Sequence, residues 1–234
     1  MTAPMAAPPT AAVAAVEVPH AAALAHQWLS DGERQQAEGR APRGRAGHVA
    51  GRIAAKQAIS RLVAGAGLPA PDPLAIEVHP DEHGRPVVSV RGSRLPLFGV
   101  SISHAAAVAV AVAAPVDATN VATDVGIDVE PVEPRSHRFE RLVLTAAEQL
   151  LPPVPGDDRD TWLTRLWAAK EAAAKAGGLG LQGRPKAFEV TDRAGGTIHV
   201  AGRWVDTEVV AFGGTPHVVA ITPAGPREVP WRSS

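Results

Sequence analysis

A short stretch near the middle of the chain, Gly126-Ile127-Asp128-Val129-Glu130, constrains the fold most. Apolar Ile127 and Val129 alternate with acidic Asp128 and Glu130, which is the period of a strand. Successive strand side chains point to opposite faces, so both carboxylates leave on the same side. Farther on, residues 161–176 are rich in Ala, Lys and Glu, all strong helix formers. Within that helix Trp167, Glu171 and Lys175 fall four apart and share one face. If strand and helix pack together, Asp128, Glu130 and Glu171 meet beside a lysine. Three hard oxygen donors, in a chain with no cysteine, suit Mg²⁺, which keeps some waters and bridges carboxylates to phosphate oxygens. Each piece alone has a plainer reading. Two alternating acids describe a solvated strand face, and Glu171 with Lys175 a surface ion pair worth about 0.2–0.5 kcal/mol.

The 234 residues suit one large domain or two small subdomains. Their 45% hydrophobic and 20% charged content is ordinary for a globular protein. The absence of cysteine excludes a disulfide framework and thiolate metal sites, and fits a reducing compartment. Residues 1–15 are rich in Ala and Pro, carry no Lys or Arg, and are interrupted by Pro4, Pro8 and Pro9. They make a poor signal peptide, and a disordered leader is expected instead. The apolar run 105–114 is too short to cross a bilayer, so a soluble, cytoplasmic protein is expected. Net charge is −1, yet the bases Arg34, Arg40, Arg43, Arg45, Arg52, Lys56 and Arg61 outnumber the acids Asp31, Glu33 and Glu38 around them. Such a block suits phosphate groups or an acidic protein surface, or else a solvated helix face.

Periodicity predicts helices over 21–29 and 48–66, with Asp31-Gly32-Glu33-Arg34 as a turn into a further helical segment that breaks at Ala41-Pro42-Arg43-Gly44. Strands are expected at 74–78, 87–90, 100–103, 108–113 and 124–130. Thr145 and Glu148 have the spacing of a capping box, which predicts a helix carrying Leu150 and Leu151 up to Pro152-Pro153. After the helix at 161–176, Gly177-Gly178 ends it, and strands follow at 188–191, 197–200, 208–212 and 217–221. A helix followed by several strands, twice over, is an α+β pattern. The expected division is a leader over 1–20, an N-terminal α+β subdomain over 21–122, a C-terminal α+β subdomain with the metal site over 123–225, and a tail over 226–234.

Three motifs in order carry a resemblance: Ser103-His104 after a strand, then Gly126-Ile127-Asp128-Val129-Glu130, then Trp167-Ala168-Ala169-Lys170-Glu171-Ala172-Ala173-Ala174-Lys175. The sequence resembles the 4′-phosphopantetheinyl transferases of the larger, Sfp type. Gly84-Arg85-Pro86 stands where that family usually has Gly-Lys-Pro, and Ala105 where it often has a small hydroxyl or thiol residue. The resemblance implies two similar α+β subdomains packed pseudo-symmetrically, a monomer, and a site in the cleft between the halves. It also implies transfer of 4′-phosphopantetheine from coenzyme A to a serine of an apo acyl or peptidyl carrier protein, with release of 3′,5′-ADP. Carriers of secondary-metabolite synthases are the expected substrates, with fatty-acid carriers the other class. On that reading Asp128, Glu130 and Glu171 hold Mg²⁺ or Mn²⁺, Glu171 is the general base, and Lys175 steadies a phosphate oxygen. Arg52, Arg85, Ser103, His104, Asp128 and Lys175 contact the coenzyme, with Arg45 and Lys56 as further candidates. Lys170 projects about 100° away from Glu171 and is a weaker catalytic candidate; Trp167 is packing. The competing readings are a homologue that binds coenzyme A or carrier protein without transfer, and a metal-dependent hydrolase that splits a diphosphate with water.

Overall fold

The run Val108-Ala109-Val110-Ala111-Val112-Ala113 alternates two sizes of apolar residue, and this sets the layering. Its strand is buried on both faces. The valine face meets Val13, Ile127, Val129, Val219 and Ile221 in one core, while the alanine face lies with Ala12 and Ala14 under a long helix. Small side chains on that second face let the helix sit close to the sheet.

The computed structural model describes residues 11–90, 93–94, 98–115, 125–222 and 231. Residues 1–10 of the expected leader, Asp124, the expected 122/123 boundary and, Trp231 apart, the expected tail lie outside the described residues. In chain order come β1 (Ala12–Glu17), α1 (Ala21–Trp28), α2 (Asp31–Glu38), α3 (Pro42–Gly65), β2 (Ile76–Pro80), β3 (Pro86–Val90), β4 (Ser93–Arg94), β5 (Phe98–His104) and β6 (Val108–Pro115). The second half has β7 (Gly126–Pro131), α4 (His137–Val143), α5 (Arg159–Ala176), β8 (Val190–Ala194), β9 (Thr197–Val200), β10 (Arg203–Phe212) and β11 (Thr215–Thr222). Three antiparallel sheets result, with strand orders β1-β6-β5, β2-β3-β4 and β7-β11-β10-β9-β8. Helix α3 covers the first sheet and α5 the five-stranded one, and the outer faces of these two sheets pack on each other. The α+β expectation holds. Among the described residues no helix is long and apolar enough to cross a membrane.

Several local expectations are corrected. The leader is not disordered over 12–17: these residues form β1, paired along its whole length with β6 from Ala12 opposite Ala113 to Glu17 opposite Val108. Asp31-Gly32-Glu33-Arg34 is the first turn of α2 rather than a separate turn, because Ser30 and Glu33 make a reciprocal capping box. Helix α3 starts at Pro42, since a proline at the first helical position has no N–H to satisfy and is already set for the helix. The strand expected from 74 begins as a single 3₁₀ turn, Pro73–Ala75, and pairs only from Ile76. The capping box at Thr145 and Glu148 forms, but it starts one 3₁₀ turn, Glu148–Leu150, before Pro152 ends it. Helix α4 and the two-residue β4 were not foreseen.

Candidate active site

Strand β7 and helix α5 meet at Gly126. A Cβ there would lie 1.9 Å from the Ala172 carbonyl oxygen and 2.9 Å from the Ala176 nitrogen. Only glycine permits this approach of backbone to backbone. It places Glu171 and Lys175, on the inner face of α5, over the acidic face of β7. From the other side β5 runs alongside β7, and the Ile127 amide donates to Ser101 Oγ at 3.1 Å.

Asp128 is the centre of this seam and is 3% exposed. Its Oδ1 accepts from Lys175 Nζ at 2.6 Å and from Ser103 Oγ at 2.7 Å. Its Oδ2 is buried and has no hydrogen-bond partner. Lys175 also donates to the Ile127 carbonyl at 3.2 Å. Glu130 is half-buried, with Oε1 taking the Trp167 indole N–H at 3.0 Å and Oε2 facing Arg135 at 3.4 Å. Burial, then the charge of Asp128, raises its proton affinity, against the pull of Trp167 and Arg135. Glu171 is raised for the same reasons: burial first, then Asp128 and more weakly Glu130, opposed by Lys175. Three carboxylates thus share one field with a single lysine among them. Among the described residues no group of three or more His, Cys, Asp or Glu side chains stands arranged as it would around a bound metal ion. The donor chemistry nonetheless fits a hard divalent cation. All three groups offer oxygen, and a buried carboxylate oxygen without a donor is the acceptor such an ion would satisfy.

Next to the acids a cavity of about 170 Å³ opens between the β2–β3 turn, β5 and the end of α5; Arg85, Pro86, Ile102, Lys175 and Gly178 line it. Arg85 is aimed by Asp81, which accepts from its Nε at 2.7 Å. Its guanidinium also crowds Gly178, where a Cβ would come 2.9 Å from Nη1.

A second basic group lies at the start of α3. Gly47 sits against the exposed His104 ring, and a Cβ there would be 3.0 Å from Nδ1. Burial pushes the His48 imidazole down to about 4, and the charges of Arg52, Arg40 and His104 add to this. Arg52 is buried, its Nε has no partner, and burial holds its proton affinity down while Glu33 supports it. A buried guanidinium with one unpartnered nitrogen, as at Arg52, suits an anion.

The structure therefore brings Ser103, Asp128 and Lys175 into hydrogen-bond contact, with Glu130 and Glu171 beside them and Arg85 sharing a cavity with Lys175. His104 and Arg52 join a separate cluster. Lys56 and Lys170 take no part: both are fully buried and bonded within the fold. Arg45 is spent on the Glu38 and Arg40 carbonyls. Sequence reasoning missed His48 and Arg135, named Arg40 only within the basic block, and read Trp167 as packing alone although its N–H holds Glu130. His48 was detectable, because it lies four residues before Arg52 on the same helix face.

Residues 124–222 match the family model of the 4′-phosphopantetheinyl transferase superfamily. Among solved structures, part of the chain is similar to a holo-(acyl-carrier-protein) synthase from Bacillus anthracis str. Ames in complex with CoA (3′,5′-ADP), at 27% identity over 45% of this chain and 94% of that one, with a TM-score of 0.39. It is similar too to an ACPS–CoA complex of Chronobacterium ammoniagenes, at 27% identity over 46% and 98% of the two chains and a TM-score of 0.37. A Thermotoga maritima holo-[acyl-carrier-protein] synthase matches at 23% identity over 56% and 72%, with a TM-score of 0.39. No curated protein matches the sequence.

Proposed function

We propose that this chain, whose residues 124–222 match the family model of the 4′-phosphopantetheinyl transferase superfamily, belongs to that superfamily and transfers 4′-phosphopantetheine from coenzyme A to a serine of an apo acyl or peptidyl carrier protein. The observation that carries the reading is Asp128 of β7, buried against β5 and α5, bonded to Ser103 and Lys175 and flanked by Glu130 and Glu171. A further proposal is that the enzyme is of the larger, Sfp type, acts as a monomer and serves the carriers of secondary-metabolite synthases. A second helix-backed sheet ahead of the family match, which supplies Ser103 and His104 from β5, with Arg85 from the neighbouring β2–β3 turn, supports the larger type.

Chemically, an alcohol attacks a diphosphate. The carrier's serine oxygen bonds to the phosphorus bearing pantetheine, the bond to 3′,5′-ADP breaks, and the serine proton must go elsewhere. Asp128, Glu130 and Glu171 are the residues that would hold Mg²⁺ or Mn²⁺, whose chemistry there is to neutralise the diphosphate oxygens. Glu130 keeps free lone pairs for this beyond its bonds to Trp167 and Arg135. Glu171 takes the serine proton, directly or through a water. Lys175 sits at the junction of acids and cavity, so its ammonium can steady a phosphate oxygen as charge moves to the leaving group. Arg85 faces the same cavity and supplies a second cation. The cluster of Arg52, His48 and His104 receives a further phosphate of the coenzyme, with Arg52 already desolvated and unpaired on one nitrogen. Alignment by these fixed groups, rather than covalent catalysis, is what such a transfer requires.

The test is to incubate the protein with coenzyme A, Mg²⁺ and an apo carrier protein, and to weigh the carrier intact. The wild type should add one phosphopantetheine arm, and Glu171→Gln should be slower by at least about 10²-fold, the usual range for a lost general base. Coenzyme A binding without any mass gain across several carriers would overturn the transferase in favour of a binding homologue. Diphosphate cleavage without a heavier carrier would point to a hydrolase.

A further inference from the structure

Two fully buried lysines are used by no step above, and they make the same set of bonds. Lys56 in α3 donates to the Trp28 carbonyl at 2.7 Å, the Pro73 carbonyl at 3.0 Å and Glu33. Lys170 in α5 donates to the Val143 carbonyl at 2.8 Å, the Pro185 carbonyl at 3.2 Å and Glu148 at 2.8 Å. Each glutamate then does the same two things. Glu33 accepts from the Ser30 and Val78 amides, and Glu148 from the Thr145 and Val190 amides. Each hydroxyl accepts the amide of its glutamate and donates to another, Ser30 to Glu77 and Thr145 to Glu189. The sequence separation within each matched pair drifts by only a few residues along the chain. The match extends to the strands: Arg61 donates to the Val13 carbonyl at 2.6 Å, as Lys175 does to that of Ile127.

This register equates β1 with β7 and α3 with α5. Ala14 then stands where Asp128 does, Val16 where Glu130 does, and Gln57 where Glu171 does. One frame is built twice, and only one copy carries the acids. We infer that the C-terminal copy of this clamp, Lys170 with Glu148, is a positioning device that sets Glu171 and Lys175 over Asp128, whereas the N-terminal copy, Lys56 with Glu33, serves the fold alone. The inference rests on the function proposed above for Glu171 and Lys175. Lys170 precedes Glu171 directly and ties α5 to the end of α4, to the Thr145–Glu148 turn and to Pro185. A lysine ammonium has three donors, and here all three are used, so the rotation of α5 about its axis is pinned from three sides. Breaking the clamp lets α5 turn or slide, which moves Glu171 and Lys175 relative to β7.

The paired copies supply their own control. The variants are Glu148→Gln/Lys170→Met and Glu33→Gln/Lys56→Met, which remove both partners together and so avoid leaving a lone buried charge. Thermal unfolding, Mn²⁺ affinity by electron paramagnetic resonance without coenzyme, and kcat and KM for coenzyme A are read for each. Both variants should melt at lower temperature than wild type. The Lys170 variant should also lose at least about tenfold in kcat, as a misplaced catalytic group does, and bind Mn²⁺ more weakly. The Lys56 variant should hold kcat within about twofold and change at most KM. Should either double variant fail to fold, the single Lys170→Arg and Lys56→Arg exchanges, which keep the charge but not its fit, carry the same expectations. Equal kcat losses in the two variants, or none in the Lys170 variant, would overturn the inference alone. A wild type that neither transfers nor binds Mn²⁺ would overturn the proposed function and the inference with it.

Discussion

His48 shows how much a single side chain is set by its neighbours. Burial, helped by the positive charge of Arg52, Arg40 and His104, pushes its imidazole down to about 4. In the unfolded chain it titrates near about 6.5, so between these values the unfolded state binds the extra proton. Its contribution to stability is therefore whole above about pH 6.5 and is lost as pH falls from there to about 4. Partial exposure of the ring screens the effect. The melting temperature of the wild type should fall more steeply over that window than that of His48→Gln, and parallel curves would refute the assignment. At this scale the sequence was informative where chemistry repeats at a fixed spacing, as for Asp128 and Glu130 on a strand or Glu171 and Lys175 on a helix. It was silent on Arg135, whose reach back to Glu130 depends on how the chain turns after Pro131.

Elements are joined here by close backbone approach, and Gly126 is the point where that approach is tightest. The atoms a Cβ would strike belong to the backbone of α5, so no flexible side chain can yield. Gly126→Ala must push α5 off β7. Overpacking of this kind costs about 1–3 kcal/mol or more, and a shift of about 1 Å between Glu171 and Asp128 costs about 10²-fold in rate. Thermal unfolding and the transfer assay together check this, and a variant with wild-type melting and rate would show that the interface is looser than the geometry says. The glycine was visible in the motif, but its reason was not, because the partner lies in a helix far along the chain. Short elements escaped for a related cause. Helix α4 is only two turns long, held by Ser136 capping the Phe139 amide at 3.1 Å, and shows too little periodicity to separate from a loop. Strong local capping was not enough at Thr145 either, since the prolines that follow stop the helix after one turn.

At the scale of the whole molecule, the α+β class was legible in the alternation of helix and strand patterns, while the strand that completes the first sheet was not. Residues 11–17 look like the end of an Ala- and Pro-rich leader, because alanine is a weak strand former and nothing local marks the segment as buried. Their burial comes from afar. Val13 is fully buried between the two sheets and Val16 is 5% exposed under α3, while Arg61 holds the Val13 carbonyl at 2.6 Å. Burying one such valine is worth about 1.5–3 kcal/mol, so two of them are worth about 3–6 kcal/mol, comparable with the low end of a whole domain's margin of about 5–15 kcal/mol. Removing β1 also strips the partner from β6 and leaves an apolar strand edge open to pairing with other chains. A chain that starts at Val18 should therefore unfold at much lower denaturant concentration than the full chain, or be recovered as aggregate. A disordered leader would make the same truncation silent, with an unchanged denaturation midpoint and slope. Because the site hangs on β5, which pairs with the other edge of β6, the truncated chain should lose transfer as well, even where a folded fraction survives.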